Sequence, residues 1–280
     1  MNTTELSVKK MNDGKISVLM GIFNCADTLS DAIESILCQT YENWELILCD
    51  DCSTDDTYAV AKSYADRFPD KIILLRNEKN SRLAFTLNHC LTVATGEYCA
   101  RMDGDDKCTP DRFEKLLKYL HAHPDAVLCG SAMQRFDSNG NMGMIDTPVP
   151  EPDRDTPYTT VPFNHATILC YKSVYDKLGG YTVCPRTVRG QDRDLWYRFF
   201  AAGFKGVNTS EPLYLVREDE AAIKRRTAKV RWNSFKIDII GYHLLGYPVY
   251  RYAKPVLRLA KILVPTKAQL LYRKIQSRGN

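Results

Sequence analysis

Gly96-Glu97-Tyr98-Cys99-Ala100-Arg101-Met102-Asp103-Gly104-Asp105-Asp106 runs from an apolar-leaning segment straight into an acidic cluster. The first half reads as a strand. Thr109-Pro110-Asp111-Arg112-Phe113, just beyond, reads as the opening of a helix, with Pro suited to a first turn. Three carboxylates within four residues at the end of a buried strand repel one another. A hard divalent cation removes that repulsion, and oxygen ligands suit Mg²⁺ or Mn²⁺. Mg²⁺ takes one or two protein carboxylates and fills its other positions with water and substrate phosphates. Asp-x-Asp at a strand end therefore suggests a diphosphate handled through a metal. The same string also fits an acidic turn that caps the next helix, and only the rest of the chain separates the two.

Outward from this stretch, short apolar runs alternate with helical spacing. Residues 16–21, 44–49, 72–75 and 98–102 read as strands; residues 30–37, 57–68 and 83–94 read as helices. This alternation predicts an α/β fold, a mostly parallel sheet with helices on both faces. Ligands of such sheets sit at the carboxyl ends of strands. Asp50-Asp51 and Asp103 to Asp106 both lie just past strand ends and are placed to converge on one cleft. After about residue 125 the pattern loosens. Residues 127–132 read as a further strand, 146–162 as a Pro-, Thr- and Asp-rich loop over the site, 195–202 as a helix and 212–216 as extended chain.

The 280 residues suffice for one large domain with an appendage. A net charge of +4 conceals an asymmetry: residues 221–280 hold fourteen Lys or Arg against one acid, Asp238, so this tail carries +13 and the body −9. The ten cysteines are scattered, and Cys49, Cys99, Cys129 and Cys170 sit in apolar runs where a free thiol behaves as a small hydrophobe. Cys49-x-x-Cys52 lacks a second pair at zinc spacing. Residues 1–15 are polar and give no secretory signal, and no apolar run reaches 18 residues. These features predict a reduced, cytoplasmic protein without a spanning helix.

The order of motifs resembles that of the family-2 glycosyltransferases. Residues 17–24, then Ser35-Ile36-Leu37-Cys38-Gln39-Thr40-Tyr41, Asp50-Asp51-Cys52-Ser53-Thr54-Asp55-Asp56-Thr57 and the acidic stretch are similar to the nucleotide half of these enzymes. Phe163-Asn164-His165-Ala166-Thr167, Gly179-Gly180-Tyr181 and Gln191-Asp192-Arg193-Asp194-Leu195-Trp196 resemble the acceptor half. The likeness covers roughly residues 15–217, and its strength lies in the ordered set. It implies the GT-A fold, a Rossmann-like nucleotide-sugar-binding domain at residues 1–220. Residues 15–125 would be its nucleotide half and 126–217 its acceptor half, with 221–280 a helical tail. It implies metal-dependent, inverting transfer from a nucleotide-sugar donor, a UDP-sugar, to a saccharide or lipid-linked saccharide, in bacterial surface-polysaccharide synthesis.

The resemblance also implies roles. Asp51 matches the carboxylate that accepts a hydrogen bond from the base, as a uracil N3–H requires; alternatively Ser53 and Asp56 form a capping pair around it. Phe23 matches a residue that stacks on the base, and Gly21 and Asn24 go with it to the nucleotide; Gly21 stands where Pro is frequent and lets a ligand approach the backbone. Arg82 resembles a basic residue near the diphosphate. Asp105 is the first metal ligand. Asp103 is the second, or touches the donor ribose or sugar, and Asp106 is a turn residue. Asp192 is the general base, taking the proton from the acceptor hydroxyl. Gln191 replaces a frequent Glu, which removes a neighbouring negative charge. Asp194 reads as a first-turn helix acid. Trp196 and His165 belong to the acceptor side or to the core.

In the tail, Arg251, Lys254, Arg258 and Lys261 share one helical face, with Val249, Tyr252, Val256, Leu259, Ala260 and Leu263 opposite. That pattern predicts an in-plane helix on the inner face of the membrane; the alternative is a helix folded onto the domain. No nucleic-acid motif appears. Two rivals to a transferase remain: a sugar-phosphate nucleotidyltransferase, for which the Gly-rich loop after the first strand is missing, and a catalytically idle assembly partner. No G-x-G-x-x-G follows the first strand, which argues against a dehydrogenase.

Overall fold

The computed structural model describes residues 14–137, 140–146, 148–217 and 227–260. In chain order the elements are β1 (Ile16–Ile22), α1 (Ala26–Leu37), β2 (Trp44–Asp50), α2 (Thr57–Arg67), β3 (Ile72–Arg76), α3 (Leu83–Val93) and β4 (Tyr98–Arg101). There follow β5 (Lys107–Cys108), α4 (Arg112–His121), β6 (Leu128–Asp137), β7 (Gly140–Asp146), α5 (Thr156–Thr159), β8 (Leu169–Tyr171) and α6 (Lys172–Leu178). The last are α7 (Gln191–Ala201), β9 (Gly206–Arg217), α8 (Ala228–Leu244) and α9 (Ala253–Ala260).

The strands form one sheet in the order β3-β2-β1-β4-β8-β6-β9-β5, with β7 paired to β6. β3, β2, β1 and β4 are mutually parallel; β8 runs antiparallel to both β4 and β6, and β6 pairs parallel with β9. The α/β architecture expected from the sequence is thus present, parallel through its first half and mixed beyond β4. Both faces are covered. Ile16, Val18, Met20 and Ile22 of β1 face one core with α1, α2 and α4, while Leu19 of the same strand faces the other with α3 and α7. A strand buried on both sides reads as a continuous apolar run rather than an alternating one.

Helix α1 shows how tertiary contacts set a boundary that periodicity missed. Leu29, Ala32, Ile33 and Ile36 give it an i, i+3, i+4, i+7 buried stripe. It begins four residues before the expected Ser30, because Thr57 Oγ1 accepts the Cys25 N–H and Asp55 accepts the Ala26 N–H. Those two donors would otherwise be orphans of the helix terminus. Strand β9 runs through Pro212, a residue that cannot donate to a ladder; the β6–β9 register slips beside it, between Ser131 and Met133.

Two expectations are corrected. Residues 148–160 do not cover the acidic cluster. Asn208, near the amino end of β9, donates to the carbonyls of Val149 and Pro162, and Tyr247 Oη donates to the Arg154 carbonyl, so this segment lies at the opposite end of the sheet. The tail also differs from a free amphipathic helix. Ile237, Tyr242, Leu245 and Tyr247 are buried in the α3–α7 core. Asp238, the tail's one acid, is buried and accepts from Tyr197 Oη at 3.0 Å, with Arg193 and Arg258 paired to it. Arg251 and Lys254 lie over the Tyr158 ring, and Arg251 pairs with Asp155, so these cations turn toward the protein. Large apolar residues of the tail left exposed are Trp232, Ile240 and Leu244 of α8 and, further on, Val249, Tyr250, Val256 and Leu257. Lys261 and Leu263 lie outside the described residues. No helix among the described residues is long and apolar enough to cross a membrane. All ten cysteines are free, with Cys49, Cys99, Cys129 and Cys170 buried as expected.

Candidate active site

The chain leaves β1 toward β2 on one side and returns to β4 on the other, which puts a topological switch point at the carboxyl ends of β1 and β4. In an open parallel sheet a crevice forms there. The register places the segments after β1, β2 and β4 side by side: Asp51 N–H donates to the Ile22 carbonyl and Met102 N–H to that of Leu19.

On the β2 side, Asp51 is almost fully buried. Its Oδ1 accepts from Asn77 Nδ2 and Ser81 N, and its Oδ2 from Arg82 N, each at 2.8 Å. Oδ2 thus keeps a lone pair for a further donor. Asp50 is fully buried, accepts from Ser53 N and pairs with Arg76, which makes it structural. The expected Ser53–Asp56 capping pair does not form: Ser53 Oγ accepts from Asn24 N, and Asp55 accepts from Thr57 N. Asn24 Oδ1 accepts from Thr54 N, locking the β1 and β2 ends together. Asn24, Cys52 and Arg82 have φ of 48°, 61° and 73°, the three non-glycine residues of positive φ among those described. Such conformations cost about 1–3 kcal/mol each and persist where the surroundings over-determine them, as at ligand sites. Phe23, beside them, is 43% exposed, unusual for a Phe at a strand end. Gly21 has a packing reason of its own: a Cβ there would meet Leu83 and Thr86 of α3 at 3.0 and 3.1 Å.

The acidic loop after β4 is pinned nearly everywhere. Arg101, fully buried, pairs with Asp103 and donates to the Met102 carbonyl. Arg112, also fully buried, donates to the carbonyls of Arg101 and Ala166. Tyr214 Oη accepts from Asp103 N and donates to Asp106, while Arg217 N–H donates to the other Asp106 oxygen. Thr28 Oγ1 donates to the Gly104 carbonyl. Of the three carboxylates, Asp105 alone takes no hydrogen bond or ion pair from another of the described residues, its one hydrogen bond coming from its own backbone N–H, and it is exposed. Burial, then the charges of Asp103 and Asp105, pushes Asp106 up to about 7. Partial desolvation and the Asp103 charge raise Asp105 as well. Such a cluster gains from a cation. No group of three or more His, Cys, Asp or Glu converges as a metal cage among the described residues. The carboxylates at hand are Asp105 and the Arg101-paired Asp103, and a set of one or two carboxylates fits a cation completed by phosphate oxygens.

In the acceptor half the two candidate bases separate. Asp194 is buried and bonded to Thr182 Oγ1, Arg186 and Arg198, so it is structural. Asp192, in the first turn of α7, is partly exposed and has no partner among the described residues. Gln191 Oε1 accepts from Gly190 N. Trp196 is 2% exposed and packs on Phe163, His165 and Phe199, which places it in the core rather than on an acceptor surface. His165 is partly buried and bonded to Tyr181 Oη at 2.8 Å; burial, then Arg101, holds its pKa well below the usual value, so it is neutral. A cavity of about 870 Å³ lined by His123, Glu151, Arg154 and Gly206 lies at the amino ends of β6 and β9 and contains none of these residues. The candidate site is the open crevice. Of the residues that build its floor and wall, Arg101 and Arg112 stood in the motif stretches without a role assigned, and Tyr214 and Arg217 carried no motif in the sequence.

Comparison with known proteins agrees with this arrangement. Residues 17–189 match the model of glycosyl transferase family 2. The chain is 47% identical over 253 residues to the putative glycosyltransferase EpsE of Bacillus subtilis, covering 89% of this chain and 90% of that one. It is 26% identical over 195 residues to the UDP-Glc:alpha-D-GlcNAc-diphosphoundecaprenol beta-1,3-glucosyltransferase WfaP of Escherichia coli, covering 70% and 74%. The mannosyltransferase PcManGT of Pyrobaculum calidifontis, solved with GDP-Man and Mn²⁺, shares the fold with a TM-score of 0.64 at 18% identity, over 95% of this chain and 81% of that one. On the extent of the family match and the likeness to EpsE, the chain belongs to glycosyl transferase family 2.

Proposed function

We propose that this glycosyltransferase moves a sugar from a UDP-sugar to a saccharide or lipid-linked saccharide with inversion, in cell-surface polysaccharide synthesis. The observation that carries the reading is the Asp105 carboxylate, left without a partner on another of the described residues in a loop whose other carboxylates are tied down. Asp105, with Asp103, would hold Mn²⁺ or Mg²⁺, and PcManGT was solved in complex with GDP-Man and Mn²⁺. Bound there, the cation supplies charge neutralisation at the leaving diphosphate. Asp51 accepts from the base through its free lone pair, and Phe23 offers a ring face to the same base. Arg82, held at positive φ by Asp51, borders the diphosphate. Asp192 accepts the proton of the attacking hydroxyl, a role open to it because no donor among the described residues occupies its oxygens. The lipid-linked acceptor is supported by the named activity of WfaP. The exposed Val249, Tyr250, Val256 and Leu257, with a tail of net charge +13, support a peripheral position on the inner membrane surface.

The test is transfer itself. Purified protein with Mn²⁺ is incubated with a panel of UDP- and GDP-sugars and polyprenyl-diphosphate-linked saccharides, nucleoside diphosphate release is measured, and the anomeric configuration of the product is read by NMR. Release from a UDP-sugar with an inverted product is expected. A retained configuration would overturn inversion, and nucleotide binding without transfer to any acceptor would favour the idle assembly partner.

A further inference from the structure

We infer that Arg217, at the end of β9, is a positioning residue that sets the direction of the Asp105 carboxylate; this rests on the metal reading above. Arg217 lies 112 residues from Asp105 in sequence, yet its Nε donates to the Asp105 carbonyl at 2.9 Å. Its Nη2 bonds Asp31 Oδ2 of α1 at 2.9 Å, and its guanidinium lies 4.7 Å from the centroid of the Phe136 ring. Asp31 is held in turn by Lys107, the residue that follows the acidic cluster, at 3.0 Å. The guanidinium therefore bridges three elements, β9, α1 and the loop, at one backbone carbonyl.

That carbonyl belongs to the loop residue whose side chain is bonded to no other described residue and accepts only from its own backbone N–H. The Asp103 and Asp106 side chains are held directly, by Arg101 and by Tyr214 with the Arg217 N–H. Asp105 is oriented only through its backbone, where fixing the carbonyl fixes ψ and hence where the side chain projects. A planar fork with several donors can bond the carbonyl and Asp31 at once while lying on a ring; an ammonium is a point charge and cannot. The Arg217 backbone N–H to Asp106 survives any side-chain change, so substitution isolates the guanidinium's part.

The experiment is calorimetric titration of UDP, at a series of Mn²⁺ concentrations and in EDTA, into the full chain and into Arg217→Gln, Arg217→Lys and Asp31→Asn, with melting curves for each. Arg217→Gln is expected to raise the Mn²⁺ concentration for half-maximal tight binding about tenfold, the order of one lost hydrogen bond from a charged group. Affinity in EDTA should not change. Arg217→Lys should recover part of the shift. Asp31→Asn, which weakens the partly exposed pairs of Asp31 with Arg217 and Lys107, should shift the requirement about twofold. A merely structural Arg217 would lower EDTA affinity and melting temperature together. That result, or an unchanged Mn²⁺ requirement in Arg217→Gln, overturns the inference; should Arg217→Gln fail to fold, Asp31→Asn and Arg217→Lys decide on the same readout. If the unaltered chain binds UDP equally with and without Mn²⁺, the metal reading itself falls.

Discussion

Deleting residues 221–280 is expected to unfold the domain or leave it on the edge of unfolding, not to release an intact catalytic body. The deletion removes Ile237, Tyr242, Leu245 and Tyr247, all 7% exposed or less and packed in the core that also holds Trp196 and Tyr197. Burying one such side chain is worth about 1.5–3 kcal/mol, so the four sum to roughly 6–12 kcal/mol. This is an upper figure, since an unfolded chain already buries part of its apolar surface. It is nonetheless comparable with the whole stability of a domain, about 5–15 kcal/mol. The loss of Asp238 adds to it, because the Tyr197 hydroxyl is left buried without its acceptor. Circular dichroism melts and urea titrations of the full and shortened chains, with UDP binding as the functional readout, measure this. A shortened chain that melts cooperatively within a few degrees of the full one and binds UDP normally would refute the reasoning and restore the tail as a separate appendage.

Asp192→Asn should fold and bind UDP normally yet lose transfer by about 10²-fold or more, as for a missing general base; Asp194→Asn should instead lower the melting temperature, because Thr182, Arg186 and Arg198 lose their shared partner. Retained turnover in Asp192→Asn would assign the base elsewhere. Burial raises the Glu45 carboxyl, but hydrogen bonds from Lys15, Ser17 and Thr95 outweigh it and hold it below the usual 4.5. Its stabilisation is therefore complete above the unfolded value and lost as pH falls through the folded one, and Glu45→Gln should cost about 1–3 kcal/mol at pH 7 and flatten the acid limb of a stability profile. Anionic vesicles at low salt should co-sediment the full chain, and Val256→Glu with Leu257→Glu should weaken this without affecting UDP binding; a chain that ignores such vesicles would place it off the membrane.

The nucleotide half was legible because its strands are buried on both faces and its helices carry stripes such as Leu29, Ala32, Ile33 and Ile36, signals that need no tertiary information. The acceptor half was read less well. β6 and β9 pair across about 80 residues and slip register at Pro212, so neither length nor edges show in local pattern. Motif order singled out Asp51, Asp105 and Asp192 as candidates. It could not show that Gly21 answers to α3 or that Trp196 belongs to the core. The buried arginines were invisible for a related reason: Arg101 and Arg112 look like surface cations until the fold brings carbonyls and Asp103 around them. In the tail, helical spacing found the basic face but not its direction, because Tyr158, Tyr247 and Asp155 lie far away in sequence or across a turn.

The most direct test of the account is calorimetric titration of UDP into the unaltered chain and into Asp105→Asn, each with Mn²⁺ and with EDTA. Asn preserves the side chain's shape and breaks no hydrogen bond to another described residue, since the Asp105 carboxylate accepts only from its own backbone N–H, which the Asn amide oxygen can also accept. The unaltered chain should bind UDP much more tightly with Mn²⁺ than with EDTA, because diphosphate and carboxylates repel without the cation, and Asp105→Asn should bind weakly and equally in both. Metal-dependent binding that survives in Asp105→Asn would contradict the account.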